Sequence, residues 1–137
     1  MNATVNATNI AFVQSLYAAF GRGDIATIIN GLAADVDWTV NGRSKDYPLL
    51  GNWKGPAGVQ KFFQGVAEYG EAIEFSPKEF FASEDRVCVL GHYAWTIRKT
   101  GRKVASDWVH IFTVHNGKVV KLKEFTDTAQ FAEAYRG

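Results

Sequence analysis

The chain has 137 residues, 47% hydrophobic and 21% charged, a balance that fits one globular domain over residues 1–137 and excludes a disordered chain. Fifteen Lys and Arg stand against 14 Asp and Glu, so a net charge of +1 offers no field to draw nucleic acid or an anionic membrane. A single cysteine, Cys88, excludes an internal disulfide and a multi-cysteine zinc site, and it fits a reducing, cytoplasmic setting.

In chain order, the polar start Met1–Asn9 has neither the basic cluster nor the apolar centre of a secretion signal. No apolar run approaches the roughly 18–20 residues that span a bilayer. Ile10, Val13, Leu16, Tyr17 and Phe20 then recur at helical spacing, with Thr8 or Asn9 as cap and Gly21 or Gly23 as stop. Asp24 caps a second, shorter helix carrying Ile25, Ile28, Ile29 and Leu32. Residues 35–40 read as a strand, with Val36, Trp38 and Val40 on one side and Asp35 and Asp37 on the other. Arg43 to Lys54 has no period and reads as a loop that passes over something. Gly55-Pro56 opens a third helix whose apolar face is Val59, Phe62, Phe63, Val66 and Tyr69.

From about Ala72 the period changes to that of strands, near 73–82, 86–98, 103–114 and 118–126, broken at Ser83-Glu84-Asp85, Thr100-Gly101 and Asn116-Gly117. Residues 126–135 read as a closing helix, with Asp127 and Gln130 spaced as a capping box. Helices followed by a meander of long strands predict an α+β fold, with the helices on one face of a curved, mainly antiparallel sheet. The strands are apolar on both faces, so the outer face is expected to meet a second copy and form a homodimer. Nineteen aromatic residues, four of them Trp, predict a lined cavity for an apolar small molecule.

The chemistry turns on the register of the last two strands. A two-residue turn at Asn116-Gly117 puts Trp108, His110 and Phe112 on the side of Lys121, Lys123 and Phe125. A three-residue turn with a glycine bulge puts them beside Val120, Leu122 and Glu124. Burying two lysines beside tryptophan without partners is unfavourable, so the second register is expected, with His110 diagonal to Glu124. An imidazole and a carboxylate in an aromatic pocket can move protons. His110 also reads as a core histidine bonded to its neighbours. Asp127 reads either as a second catalytic carboxylate at the pocket mouth or as the cap of the last helix. Asp107 falls on the outer face, and His92 joins the pocket only if the Thr100-Gly101 loop has an odd length. Trp38, Tyr47, Trp53, Phe62, Tyr93, Trp108 and Phe112 are candidate pocket walls or core. No spacing of His, Cys and carboxylates reads as a metal site, and no glycine-rich phosphate loop appears, so neither metal nor cofactor is expected.

The segments Asp35-Val-Asp-Trp-Thr-Val40, Trp108-Val-His-Ile-Phe112, Asn116-Gly-Lys118 and Glu124-Phe-Thr-Asp-Thr128, in this order of elements, resemble the SnoaL-like branch of the nuclear transport factor 2-like superfamily, over roughly residues 8–135. The resemblance implies a cystatin-like conical α+β barrel, a deep pocket between sheet and helices, and a homodimer through the outer sheet face. In the polyketide cyclases of that branch a carboxylate on the last strand is the acid/base, and a histidine on the preceding strand lines the pocket. Glu124 and His110 match those positions, with Glu where the cyclases carry Asp. The implied function is cofactor-free isomerase, cyclase or dehydratase chemistry on an apolar, carbonyl-bearing ring compound. The alternative is a non-catalytic dimeric ligand-binding or scaffold protein of the same fold.

Overall fold

The computed structural model describes residues 3–137. The elements run α1 (Ala3–Gly21), α2 (Ile25–Asn30), β1 (Leu32–Val40), β2 (Gly51–Lys54), α3 (Gly55–Tyr69), β3 (Gly70–Ser83), β4 (Arg86–Ile97), β5 (Lys103–His115), β6 (Lys118–Phe125) and α4 (Thr128–Arg136). The six strands form one sheet in the order β2-β1-β6-β5-β4-β3. Among the described residues only β1 and β6 pair in parallel; β3 to β6 form the expected antiparallel meander.

Local chemistry sets the helix ends. α1 closes in a Schellman motif: Gly23 takes φ +73°, its N–H reaches the Phe20 carbonyl, and the Asp24 N–H reaches the Ala19 carbonyl. Asp24 then starts α2 by accepting from the Thr27 backbone N–H. α1 begins well before the expected cap at Thr8 or Asn9, because each residue added to a formed helix gains a hydrogen bond and the preceding turn contains two alanines, good helix formers. Met1 and Asn2, the first residues of the polar stretch Met1–Asn9, lie outside the described residues. A second departure lies in the expected loop 43–54. Its last four residues form β2, an edge strand that pairs antiparallel with β1 and sets Trp53 opposite Trp38. The rest of that loop folds inward, with Tyr47 and Leu50 buried.

The core lies between the helices and the inner face of the sheet. Val59 and Phe62 of α3 pack over Val36, Trp38 and Val40 of β1, while α1, which buries Val13 and Leu16, lies over β3 and β4. Val87 to Ala94 of β4 and Trp108 to Val114 of β5 alternate buried and half-buried residues, which follows from strands with apolar groups on both faces, while Lys103, Ala105 and Asp107 at the start of β5 are exposed. Among the described residues no helix is long and apolar enough to cross a membrane.

The final hairpin reaches the expected register by a different route. Asn116 (φ 52°) and Gly117 (φ 72°) make a two-residue turn, pairing His115 with Lys118. The slip occurs inside β6: Val114 pairs with Val119, but Thr113 pairs with Lys121, leaving Val120 as a bulge. His110 therefore sits directly opposite Glu124 rather than diagonal to it. Lys121 keeps its ammonium in water, and Lys123 is half-buried on the outer face.

Candidate functional site

β5 and β6 bring the imidazole and the carboxylate together on the inner face. His110 Nε2 lies 2.8 Å from Glu124 Oε1, and the two side chains are only 9% and 13% exposed. The other imidazole nitrogen is also held: Tyr17 Oη of α1 lies 2.6 Å from His110 Nδ1. In the neutral tautomer that donates from Nε2 to the carboxylate, Nδ1 accepts the Tyr17 hydroxyl proton, so the ring is clamped at both nitrogens. Trp108 stacks on the imidazole at 4.1 Å and fixes its plane.

The second carboxylate oxygen has its own partner. Tyr93 Oη of β4 is 2.9 Å from Glu124 Oε2 and 2.7 Å from Thr126 Oγ1. Burial first, and then the nearby Glu124 charge, push the Tyr17 and Tyr93 phenols far above the ordinary tyrosine range. Both stay hydroxyls, able to donate to a carboxylate, an imidazole or an oxyanion.

These polar groups form one end of a cavity of about 110 Å³ between sheet and helices. Of the candidate wall residues, Trp38, Tyr47, Phe62, Tyr93 and Phe112 line it, together with His110, Glu124, Tyr17 and Thr126. Burial, and after it the neighbouring Tyr135 and Tyr69, push the Tyr47 phenol up to about 12. The remaining wall is almost wholly apolar, a composition suited to a flat ring with a few polar substituents.

Three expected site residues fall elsewhere. Asp127 is exposed and caps α4, accepting from the Gln130 backbone N–H at 3.1 Å and from its side chain at 2.9 Å. These hydrogen bonds hold its carboxyl below the ordinary range. Gln130 does not close the reciprocal half of a capping box; it pairs with the Ala105 backbone instead. Trp108 points inward but lies flat against the sheet, because Gly91 opposite it has no side chain: a Cβ there would come within 2.2 Å of the indole. Its ring is filled over by core and does not reach the cavity. Trp53 packs on Phe62 from the far side, its indole N–H donating to the Leu49 carbonyl.

His92 and Asp107 pair with each other at 2.9 Å on the outer face, as an even loop between β4 and β5 requires. Among the described residues no group of three or more His, Cys, Asp or Glu is arranged to hold a metal ion. Tyr17 is the partner that sequence reading missed. Its place in the apolar stripe of α1 signals burial, but its hydroxyl meets His110 only because the helix packs over β3 and β4 and the side chain reaches on to β5, 93 residues further along.

The fold and this site define a SnoaL-like protein of the nuclear transport factor 2-like class. The family model described as a SnoaL-like domain matches residues 13–122, and the chain belongs to that family. It is similar to an NTF2-like protein of Burkholderia xenovorans LB400 (32% identity, 95% of this chain and 97% of the other, TM-score 0.86). It is also similar to an NTF2-like protein of unknown function from Burkholderia pseudomallei K96243 (30%, 94% and 98%, TM-score 0.83). A third similar structure is TerC, co-crystallised with polyporic acid (32%, 94% and 98%, TM-score 0.82). No curated protein matches the chain.

Proposed function

We propose that this protein is a cofactor-free acid–base enzyme acting on a small, largely apolar ring compound that carries a carbonyl group. The observation that carries this reading is the Glu124 carboxylate, enclosed at the polar end of an aromatic cavity and bonded through one oxygen to His110 and through the other to the Tyr93 hydroxyl. Glu124 removes a proton from the carbon next to the carbonyl. The C–H bond breaks, an O–H bond forms on the carboxyl group, and the electron pair moves to the carbonyl oxygen. The Tyr17 hydroxyl, which lines the same wall, turns its proton from His110 to that oxygen. His110 orients the carboxylate. Trp38, Phe62 and Phe112 hold the ring, with Tyr47 beside them. This first step is common to isomerisation, ring closure and dehydration, and the proton held on Glu124 is returned in the second. The co-crystallisation of TerC with polyporic acid supports a small organic molecule as the occupant.

The test is deuterium uptake at the α-carbon of β-tetralone, an apolar ring ketone, in deuterium oxide. The native protein accelerates exchange, and Glu124→Gln slows it by a factor on the order of 10²–10⁴. One observation favours a ligand-binding protein without chemistry: His110 already has both nitrogens engaged. That reading predicts β-tetralone bound and recovered without deuterium. We propose further that two copies of this one SnoaL-like domain pair through the outer sheet face, a reading supported by the exposed Phe81 and Phe125 there.

A further inference from the structure

Beyond Tyr93, the hydrogen bonds continue to Thr126, also on the cavity wall, and from there out of it. Thr126 Oγ1 is 3.3 Å from Ser106 Oγ, which pairs opposite Tyr93 in the β4–β5 ladder and is itself buried. Ser106 Oγ is 2.7 Å from the Asp107 carbonyl and accepts the Asp127 backbone N–H at 3.2 Å. The line thus begins at Glu124 and ends on one backbone acceptor and one backbone donor. Each of its three hydroxyls has a single proton to give, so the line is ordered in one of two directions.

With Glu124 charged, the Asp127 N–H donates to Ser106, Ser106 to Thr126, Thr126 to Tyr93, and Tyr93 to the carboxylate. With Glu124 carrying a proton on Oε2, all three hydroxyls turn. Glu124 donates to Tyr93, Tyr93 to Thr126, Thr126 to Ser106, and Ser106 to the Asp107 carbonyl. No buried hydroxyl proton lacks an acceptor in either state. No bond other than that of the proton on Glu124 is made or broken; the hydroxyls only rotate.

We propose that Ser106 and Thr126 are positioning residues which, with Tyr93, form a reversible hydroxyl chain satisfying Glu124 in both its charged and its neutral state. This rests on the reading of Glu124 as a proton acceptor. A buried base must hold its proton for part of each turnover, and a site that satisfied only the anion would resist receiving it. Neither Ser106 nor Thr126 bonds Glu124 directly; although Thr126 also lines the cavity, both act on the carboxyl group through Tyr93. The titratable groups that face Glu124 are His110 from β5, Tyr93 from β4 and Tyr17 from α1, while β1 sets the apolar Val40 opposite it.

The experiment follows the Glu124 carboxyl carbon by NMR as a function of pH, in protein labelled at glutamate and with the resonance assigned by its loss in Glu124→Gln. Thr126→Val strands the Tyr93 hydroxyl proton only when Glu124 is neutral, and Ser106→Ala strands that of Thr126 in the same state. Each therefore moves the titration midpoint down by about one pH unit. Thr126→Ser, which keeps the hydroxyl, titrates as the native protein does. Folded Thr126→Val and Ser106→Ala proteins with the native midpoint overturn the proposal, even if both are less stable to heat. If Thr126→Val does not fold, Ser106→Ala decides alone. β-Tetralone exchange is the separate arm: equal rates in the native protein and Glu124→Gln would remove the catalytic reading of Glu124 whether or not the midpoints move.

Discussion

Glu124 and Asp127 are three residues apart, yet one carboxylate is enclosed in the cavity wall and the other stands in water at the start of α4. The difference is one of direction: β6 ends at Phe125, and the turn that follows carries Asp127 to a helix end that lacks acceptors for its first N–H groups. Because the Gln130 side-chain amide, and after it the Gln130 backbone N–H, bind the charged form, Asp127 takes up a proton less readily folded than unfolded. Its contribution to stability is present above about pH 4, the unfolded value, and is lost as the pH falls through the lower folded value. Asp127→Asn keeps a capping acceptor but does not titrate, so its melting temperature falls less between pH 7 and pH 3 than that of the native protein. A parallel pH dependence in the two proteins would remove the cap from the acid response. At this scale the sequence offers both roles for Asp127 and favours the cap, since its spacing to Gln130 fits a helix start, while nothing in the spacing excludes a pocket mouth. Tyr93 was legible as an inward ring, but the partner of its hydroxyl was not, because parity gives the face of a strand and not the reach of a side chain.

The pairing of β4 with β5 depends on Gly91 as much as on any side chain. It lies opposite Trp108, and the indole occupies the space a Cβ would need. Gly91→Ala displaces the ring that stacks on His110, at a cost of about 1–3 kcal/mol for overpacking, read from urea denaturation. The same variant loosens the His110–Glu124 geometry and lowers β-tetralone exchange; unchanged stability and exchange would mean that the indole has room to move. Element boundaries were largely legible from the sequence: the period change near Ala72, the Asn116-Gly117 turn and the Gly55-Pro56 helix start all match the elements formed. What could not be read was where the register slips. The cost of burying two lysines points to the right pairing, but a bulge at Val120 avoids that cost as well as a longer turn does, and nothing in the composition of β6 distinguishes them. β2 escaped for a similar reason: four residues of an edge strand are too few to show a period.

At the scale of the molecule, the helices cover one face of the sheet and leave the other open. On that open face Phe81 pairs with Cys88 and Cys88 with Ile111, while Leu90 pairs with Val109 and Val109 with Phe125, giving an apolar band across four strands. Phe81 is 52% exposed and Phe125 37%. Sedimentation of the native protein is expected to give a dimer, and Phe81→Asp, which sets a charge in the band, a monomer with the cavity residues undisturbed. A native monomer, or a dimer that tolerates the charge, would place the contact elsewhere. The family resemblance was legible because element order and a few strand segments carry it. The substrate was not, because a largely apolar wall states the shape and polarity of a guest and not its identity.

The proposed chemistry begins with Glu124 breaking a carbon–hydrogen bond, and isotope exchange reads that event without reference to any later product. β-Tetralone is incubated in deuterium oxide with native protein, with Glu124→Gln, and with imidazole and acetate at matched concentration as the background. The predicted result is deuterium uptake well above background with the native protein and near background with the variant. Uptake at the background rate with the native protein, when the ketone is bound, would contradict it.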